Sequence, residues 1–374
     1  MRTSRPLIAG ALALASLAVV PGTALAVPTP PADPTASRHS AVIGKNTLRS
    51  LAEEAGIEFG VAVNTDLLAN NGKYRHIVNT QYSSVTAENV MKWEALNPAP
   101  GVYDWAAAEE LIANAEANGQ VVRGHTLVWH NQLPTWLTTG DYSAEELRTI
   151  LENHVRKVAG HFAGRIQQWD VVNEIFNDDD AGSFRETIWY QAYEDLGLPG
   201  EQYVADVFRW AHQADRNASL FYNDYNIEGI NAKSTAAYNL VKRLRSEGVP
   251  IHGIGIQGHL GTQYGFPGDV PENMARFAAL GMDVAVTEAD VRSILPMDNP
   301  KTQAHARGFS VLMQGCLLVR RCTSFTVWGF SDKYQWVPGV FNGEGSAAIY
   351  DENFVPKVSY RALQQDMVLA NRRR

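Results

Sequence analysis

The feature of this sequence that most constrains its fold is an eightfold alternation of short apolar runs with longer amphipathic segments. The apolar runs lie at 59–64, 84–89, 121–129, 166–174, 220–226, 253–259, 283–288 and 325–330. Segments with apolar residues three and four apart lie between them, for example at 106–118, 144–160, 232–247 and 302–318. Strand and helix alternating eight times predict a parallel sheet, and eight units closed on themselves make a barrel. We therefore predict an α/β protein with a single (β/α)8 TIM barrel.

Helix boundaries and a glycine motif bear on the alternatives to this barrel. Gly119, Gly248 and Gly281 follow helical segments as C-terminal stops, and Ser143 precedes one as an N-cap. An open, doubly wound sheet is the structural alternative, and it would carry a glycine-rich phosphate loop between a strand and a helix. The Gly-x-Gly-x-x-Gly motif at 253–258 lies inside an apolar run instead, so its dinucleotide interpretation fails.

The two ends of the chain are predicted to lie outside the barrel. Residues 1–26 are typical of a secretory signal, because Arg2 and Arg5 precede an apolar stretch and Ala-Leu-Ala ends the segment. A membrane anchor is the alternative, but the apolar run is shorter than the roughly 18–20 residues that a span needs. Residues 27–40 hold four prolines and predict a disordered leader. The barrel domain is therefore placed at 41–370, in a secreted, extracellular protein.

Cys316 and Cys322 are the two cysteines of the chain, with five residues between them. In an exported protein such a pair is permitted to form a disulfide that closes a tight loop. A pair of buried free thiols is the alternative, because the sequence does not define the loop geometry. The pair is weak as a zinc site without other soft ligands, and no metal site is predicted.

The apolar runs share a second property, which is that their C-terminal ends turn polar or aromatic. In a (β/α)8 barrel these ends point to one face, where active sites form. The side chains predicted to converge on one cleft are Asn64, Glu88, Asn89, His125, Trp129, His130, Asn173, Glu174, Asn223, Asp224, Asn226, Gln257, His259, Glu288, Asp290 and Trp328.

Two carboxylates in this set, Glu174 and Glu288, each close an apolar strand. A charged side chain at such a position is costly unless it is paired or functional. Two of them on one barrel face can share the work of a retaining glycosidase, one as a protonated acid and the other as an ionised nucleophile about 5–5.5 Å away. A structural ion pair is the alternative for either carboxylate alone, and it weakens for both together beside Trp and His.

Six sequence blocks then carry a resemblance that spans nearly the whole predicted domain. They are VTAENVMKW at 85–93, RGHTLVWHNQLP at 123–134, WDVVNE at 169–174, QGH at 257–259, TEAD at 287–290 and TVWGFSDKYQW at 326–336. In this order the blocks resemble those of family 10 glycoside hydrolases, the endo-β-1,4-xylanases. The resemblance implies a secreted barrel enzyme that hydrolyses internal bonds of xylan with retention of configuration and needs no cofactor.

The resemblance also implies roles for individual residues. Glu174 matches the general acid/base, and Glu288 matches the nucleophile that forms a glycosyl-enzyme intermediate. The supporting residues that it implies are Asn173, His259, Asp290 and Gln257. Asn173 is placed to donate to the sugar 2-hydroxyl, a contact that should tighten in the transition state. His259, with Asp290 behind it, resembles the pair that orients the nucleophile.

For substrate binding the resemblance implies a set of polar and aromatic side chains. These are Glu88, Asn89, Lys92, His125, Trp129, Gln132, Trp328 and Trp336, and Trp93 falls in the same substrate-side block as the first three. The tryptophans are suited to stacking on pyranose faces, and in the family those of the last strand and loop favour xylose over glucose. Three departures from the family pattern, at Val90, Ala289 and Val337, touch neither carboxylate, so activity is expected to survive them.

Three other functions remain open at this point. A retaining hydrolase of the same clan that acts on glucan or mannan would lack the 88–93 block. A non-catalytic carbohydrate-binding barrel would typically have lost a carboxylate, and this chain keeps both. A metal-dependent hydrolase is suggested by His125, His130 and the acidic run at 178–180, but neither group has metal-binding spacing. A solvated loop is the better interpretation of the acidic run, and His130 is expected to donate a hydrogen bond behind the site.

The net charge and the hydropathy of the chain limit the classes of partner that it is expected to bind. The chain has 32 Lys and Arg against 40 Asp and Glu, and this formal charge of −8 argues against a general nucleic-acid binder. Beyond the first 26 residues no segment is long and apolar enough to predict a membrane span. The expected partner is the neutral polysaccharide xylan, and the expected oligomeric state is a monomer.

Overall fold

A computed structural model describes residues 44–179 and 181–371. The predicted signal at 1–26, the predicted leader at 27–40 and residue 180 lie outside the described residues. The strands are β1 (Glu58–Val63), β2 (Ser84–Ala87), β3 (Val121–Val128), β4 (Gln168–Asn173), β5 (Ser219–Asp224), β6 (Gly253–Ile256), β7 (His259–Gly261), β8 (Asp283–Ile294), β9 (Cys322–Val327) and β10 (Glu344–Gly345). The α-helices are α1 (Leu48–Ala55), α2 (Thr65–Asn70), α3 (Gly72–Gln81), α4 (Trp93–Leu96), α5 (Ala106–Ala117), α6 (Thr135–Thr139), α7 (Ala144–His161), α8 (Ile188–Asp195), α9 (Gln202–Ala214), α10 (Ala232–Ser246), α11 (Val270–Ala279), α12 (Asn299–Leu318), α13 (Val337–Val340) and α14 (Val358–Asn371).

Within the described part of the chain, eight of these strands close into a parallel barrel. They pair in the order β8-β6-β5-β4-β3-β2-β1-β9, and β8 also pairs with β9 to complete the ring. Gly60 on β1, for example, lies opposite Ser84 on β2 and Thr326 on β9. The two short strands β7 and β10 both add to β8, the first in parallel and the second antiparallel. The predicted (β/α)8 barrel is confirmed.

The strand boundaries differ from the predicted runs at the carboxyl face of the barrel. The run 253–259 is predicted as one strand, but it divides into β6 and β7, because Gly258 takes a φ of 83° that an extended strand does not allow. The predicted run 283–288 is too short, since β8 continues to Ile294. Glu88 and Glu174 follow their strands rather than ending them. These side chains therefore lie in the rim loops, where binding and catalytic groups concentrate.

The predicted N-cap at Ser143 and the predicted glycine stops are confirmed. Ser143 caps α7 through a reciprocal pair of bonds, in which its backbone N donates to Glu146 Oε2 at 2.8 Å and its Oγ accepts from Glu146 N at 3.2 Å. Gly119, Gly248 and Gly281 have φ values of 59°, 67° and 80°. This left-handed conformation ends a helix at little cost only when the residue has no side chain.

The two cysteines form a disulfide between the end of α12 and the start of β9. The Cα atoms of Cys316 and Cys322 are 5.2 Å apart, which lies within the normal range for a bridge. Both residues are buried. The predicted disulfide is confirmed, and the alternative of free thiols is wrong.

Apolar side chains fill the space inside the barrel and between its strands and helices. Phe59 stacks on Phe325 of the neighbouring strand with ring centroids 5.7 Å apart, and Trp169 is fully buried. This continuous core holds the strand ends in fixed positions, as close-packed interiors do. In the described part of the chain, no helix is both long and apolar enough to cross a membrane.

Candidate active site

The carboxyl ends of the barrel strands bring the predicted polar residues to one rim. Asn173 ends β4, and Glu174 follows it with a φ of 56°. Gln132, in the loop after β3, has a φ of 49°. Non-glycine residues rarely adopt this left-handed region, and each such residue costs on the order of 1–3 kcal/mol. Conformations of this kind cluster at functional sites, which makes this rim the candidate active site.

A network of side-chain amides joins the two carboxylates. Gln257 Nε2 donates to Glu174 Oε1 at 3.0 Å and to Asn173 Oδ1 at 3.3 Å. Asn223 Nδ2 donates to the same Asn173 oxygen at 2.9 Å and to Glu288 Oε1 at 2.8 Å. Glu174 and Glu288 are therefore tied to one set of amides on adjoining strands.

The second oxygen of Glu288 faces a histidine. His259 Nε2 lies 3.2 Å from Glu288 Oε2, and His259 Nδ1 lies 3.1 Å from Asp290 Oδ1. Burial disfavours the charged ring, but Asp290 and Glu288 outweigh it and raise the pKa of His259 to about 10. Burial would also raise the pKa of Glu288, but the hydrogen bond from His259 and the nearby His125 lower it below its usual value. Glu288 is thus an ionised carboxylate at neutral pH, paired with an imidazolium.

The charge on Glu288 determines how the amides are oriented. An ionised carboxylate only accepts hydrogen bonds, so Asn223 must present its Nδ2 to Glu288, while its Oδ1 accepts from Thr287 Oγ1 at 2.7 Å. The same Nδ2 contacts Asn173, whose oxygen must therefore face it. Within the described residues, the hydrogen bonds of the Asn173 side chain use this oxygen alone. Its Nδ2 is left as a donor for a ligand.

The pKa of Glu174 is shifted in the opposite direction to that of Glu288. Burial raises the pKa of Glu174, and the negative charge of Asp224 raises it further, against the hydrogen bonds from Gln257 and Trp129. Trp129 Nε1 donates to Glu174 Oε2 at 2.8 Å and so holds the carboxyl group in one orientation. Two carboxyl groups whose pKa values are moved apart are suited to act as an acid and a nucleophile.

A second cluster surrounds the buried side chain of Lys92. Its Nζ donates to Asn89 Oδ1 at 2.9 Å and to Gln132 Oε1 at 2.6 Å. The same nitrogen lies 5.1 Å from the ring centroid of Trp129 and 6.0 Å from that of Trp328. Burial lowers the pKa of Lys92, and the surrounding glutamates oppose this effect. Five of the predicted substrate-binding residues therefore meet around one ammonium group.

Glu88 and the last two predicted tryptophans line a single small pocket beside this cluster. Glu88, Trp328 and Trp336 contribute to its wall. Burial raises the pKa of Glu88, which Lys92 partly offsets. Trp336 Nε1 donates to Asp290 Oδ2 at 2.7 Å, so this tryptophan also connects the pocket to the His259 pair.

His125 lies against a buried ion pair that the sequence interpretation missed. Its Nδ1 is 3.1 Å from Asp170 Oδ2, and Arg123 Nε donates to the same oxygen at 3.0 Å. The peptide bond after His125 is cis, and its ring packs edge-on to Trp328 at 5.2 Å. The period of two along β3 places Arg123 and His125 on one face, a signal that could have identified Arg123. Asn223, the shared donor, is predicted from the sequence to lie in the cleft, but the sequence assigns it no particular role.

Trp93 does not face the cleft, although it lies in a substrate-side sequence block. Its ring stacks on His154 at 3.5 Å and on Trp189 at 5.1 Å, and its Nε1 donates to Asn97 Oδ1 at 3.3 Å. The short helix α4 begins at Trp93 and turns it inward. Its role is therefore in the core.

The structure adds detail to the expectations for His130 and for the acidic run. The Nδ1 of His130 is buried without a partner among the described residues, and the hydrogen bond expected from the other ring nitrogen stays a prediction. Burial, followed by the charges of Arg185 and Lys233, lowers the pKa of His130 to about 3. Asp178 and Asp179 of the acidic run lie in an exposed loop, as expected. Asp178 Oδ1 also accepts from Lys233 Nζ at 2.9 Å, and Asp179 Oδ1 accepts from a backbone N–H in the same loop.

Comparison with known proteins extends these observations. The family described as Glycosyl hydrolase family 10 matches this chain over residues 47–366. Endo-1,4-beta-xylanase of Agaricus bisporus is 40% identical over 318 residues, which cover 84% of this chain and 93% of that protein. Endo-1,4-beta-xylanase B of Thermotoga neapolitana is 42% identical over 330 residues, covering 86% and 91% respectively. The crystal structure of native xylanase 10B from Thermotoga maritima has a TM-score of 0.83 at 40% identity and covers 88% of this chain and 100% of its own.

The family match runs from just before α1 into α14, so it includes the barrel, both carboxylates and the amide network between them. Sequence identity of 40% and 42% over most of both chains, together with the same fold, identifies the family of this chain. The chain is a glycoside hydrolase, and it belongs to glycosyl hydrolase family 10.

Proposed function

We propose that this chain is an endo-1,4-β-xylanase that cleaves internal bonds of xylan with retention of anomeric configuration. The observation that carries the proposal is the pair Glu174 and Glu288, whose pKa values move in opposite directions while one amide network holds both. The substrate is supported by relatives at 40% and 42% identity that are named endo-1,4-beta-xylanases. A structure with a TM-score of 0.82, xylanase 10B from Thermotoga petrophila, is described as a complex with xylobiose.

The two carboxyl groups divide a double displacement between them. In the first step Glu174 gives its proton to the glycosidic oxygen while Glu288 attacks the anomeric carbon and forms a glycosyl ester. In the second step ionised Glu174 takes a proton from water, which attacks the ester from the opposite side to Glu288. Two displacements at one carbon restore its configuration. For this retaining mechanism the two carboxyl groups must be about 5–5.5 Å apart.

The neighbouring groups support each charge at the step where it is needed. The His259 imidazolium, held by Asp290, keeps Glu288 ionised and aimed before attack. Asn173 offers its Nδ2 to the sugar 2-hydroxyl, and this bond strengthens as positive charge develops on the ring. Gln257 joins the two halves, because it donates to both Asn173 and Glu174.

The remaining predicted residues form the sugar-binding surface. Lys92 and the amides that it holds offer donors and acceptors to sugar hydroxyls, as does Glu88. Trp129 and Trp328 flank the ammonium group, where flat apolar faces can pack on a pyranose ring. The polar side chains in this surface are Glu88, Asn89, Lys92, His125 and Gln132, and the aromatic ones are Trp129, Trp328 and Trp336.

We also propose that the enzyme acts outside the cell as a monomer after removal of residues 1–26. The basic start, apolar centre and small-residue end of this segment support export. The Cys316–Cys322 disulfide is consistent with an oxidising compartment. Sequencing the N-terminus of protein recovered from the culture medium tests the cleavage, and a mature chain that still carries this segment would refute it.

Product analysis on xylo-oligosaccharides tests the reaction. NMR of the first product should show the β anomer at the new reducing end, because two displacements restore configuration. Xylan should release far more reducing sugar than carboxymethyl-cellulose does. An α anomer as the first product would refute the double displacement, and equal release from both polymers would refute the xylan assignment.

Hydrolysis should be unchanged in excess chelator. The reason is that the proposed acid, nucleophile and charge partner are all side chains, namely Glu174, Glu288 and His259. No three His, Cys, Asp or Glu side chains in 44–179 and 181–371 are arranged to hold a metal ion. Initial rates on xylan before and after dialysis against chelator measure this, and a large loss that added metal reverses would contradict the proposed mechanism.

A further inference from the structure

Asp224, at the end of β5, is a fully buried carboxylate that the double displacement does not use. Three groups donate to it. Lys233 Nζ lies 2.9 Å from Oδ1, the backbone N–H of Tyr225 donates to the same oxygen at 2.9 Å, and the Tyr222 hydroxyl donates to Oδ2. Burial raises the pKa of Asp224 above its usual value, and the ammonium group and the hydroxyl offset only part of this shift. All three donors favour the ionised form of Asp224, and the ammonium group does so most strongly.

Lys233 occupies a position that is otherwise unfavourable for a lysine. It is the second residue of α10, where the positive end of the helix dipole repels a cation, and it is only 4% exposed. Its Nζ lies 2.9 Å from Asp178 Oδ1 as well as 2.9 Å from Asp224 Oδ1, and 3.6 Å from the ring centroid of Tyr225. A buried ammonium group is stable only when carboxylates pair with it. The placement of Lys233 between Asp178 and Asp224 therefore favours a negative charge on both carboxyl groups.

This charge lies next to the candidate acid. β4 and β5 pair with Asn173 opposite Asn223, so Glu174, which follows β4, and Asp224, which is the last residue of β5, come next on neighbouring segments of the rim. Glu174 N donates to the carbonyl oxygen of Asn223 at 2.9 Å, and neighbouring strands are about 4.8 Å apart. The negative charge of Asp224 raises the pKa of Glu174 by Coulombic repulsion, and the proton stays on the carboxyl group that has no cation among its hydrogen-bond donors. The side-chain donors to the Glu174 carboxyl group are an indole and an amide, both neutral, whereas Arg185 donates to the backbone oxygen of this residue.

We propose that Asp224, charged and held by Lys233, is a positioning residue that keeps the proton on Glu174 until xylan binds. The inference rests on the proposed function, because it requires Glu174 to be the general acid. The other titratable groups that face this pair of carboxyls are Lys92, Arg185, Tyr203, Tyr222, Tyr225 and Glu288. Glu288 acts in the same direction as Asp224, whereas Lys92 opposes it. Asp224 differs from Glu288 in that it takes no part in the proposed reaction, and its charge is stabilised by the ion pair with Lys233.

The Asp224→Asn variant tests the proposal through the pH profile. For a xylo-oligosaccharide, whose leaving group needs a proton, the alkaline limb of kcat/KM should move to lower pH by about one unit. For a xylobioside with a dinitrophenolate leaving group, which needs no proton, the alkaline side of the profile should not move. The matched control is Asp332→Asn, which removes a partly buried carboxylate that is also paired with a lysine, Lys357, at 2.8 Å. This control should keep the wild-type limb.

A second variant covers the case in which Asp224→Asn does not fold. Combining Asp224→Asn with Lys233→Met removes both charges and leaves no unpaired ammonium group, and it should show the same shift. A limb that coincides with that of the wild type overturns the proposal, as does an equal loss on both substrates at every pH. The Glu174→Gln variant distinguishes a failure of the proposal about Asp224 from a failure of the general-acid assignment on which it rests. If the alkaline limb persists in that variant, the general-acid assignment itself is wrong.

Discussion

Replacing Glu288 by alanine should lower kcat on xylan by roughly 10⁵-fold, the size of effect seen when a covalent nucleophile is removed. The glycosyl ester cannot form without this carboxylate, and no other side chain contacts the anomeric carbon in the proposed mechanism. Binding should survive, because the Lys92 cluster does not include Glu288 and remains intact. Calorimetric titration with a xylo-oligosaccharide measures binding, and reducing-sugar release measures the loss of turnover.

Small anions give this prediction a second readout. Alanine leaves space where the carboxylate stood, beside the His259 imidazolium. Azide should enter that space and attack an activated aryl xylobioside from the face that Glu288 uses, so the product should be the α-glycosyl azide. A β-glycosyl azide would show that the roles of Glu174 and Glu288 are reversed. Unchanged xylan hydrolysis by Glu288→Ala would exclude Glu288 as the nucleophile.

The control for this experiment comes from the same strand. Asp283 begins β8, at the end of the barrel remote from the rim, and its carboxylate pairs with Arg321 at 2.7 Å on the surface. Asp283→Ala should keep wild-type turnover on xylan and lose at most about 1 kcal/mol of stability. If turnover on xylan falls in Glu288→Ala but not in Asp283→Ala, the loss comes from the missing nucleophile and not from damage to β8.

The alternation of strands and helices was sufficient to predict the barrel, because parallel strands need a helix-length connection and eight such units close on themselves. The same topology predicted where Glu174 and Glu288 meet, since strand ends converge whatever the loops do. The disulfide was predicted with an alternative, because spacing alone does not define whether two cysteines can approach. These inferences rest on properties that a sequence displays directly: period, spacing and the order of elements.

The contacts that organise the site could not be predicted in the same way. Asn223 bridges Asn173 and Glu288 only because β5 lies between their strands, and a sequence does not show which amide of several will do so. Trp93 is one residue from Lys92, yet a four-residue helix turns it into the core. The break at Gly258, with its positive φ, is likewise invisible in a run of small and apolar residues.

Arg123→Met should lower the free energy of unfolding by about 3–5 kcal/mol, because it leaves a buried carboxylate without its cation. Arg123 and Asp170 are 2% and 1% exposed. Arg123 donates to both carboxylate oxygens of Asp170 and, through Nη1, to Gln168 Oε1 at 2.7 Å. Urea denaturation at neutral pH measures the loss. The matched control is Arg321→Met, which breaks the exposed pair with Asp283 and should cost at most about 1 kcal/mol.

The pH dependence of this loss identifies its cause. Burial would raise the pKa of Asp170, but Arg123 and His125 outweigh it and lower the pKa below its usual value. A depressed carboxyl pKa contributes stability that is present at neutral pH and disappears as the pH falls through the folded-state value. The difference between wild type and Arg123→Met should therefore narrow on acidification. A difference that stays constant down to acid pH would attribute the loss to the packing of the Arg123 side chain over Phe221, at 4.7 Å, rather than to the ion pair.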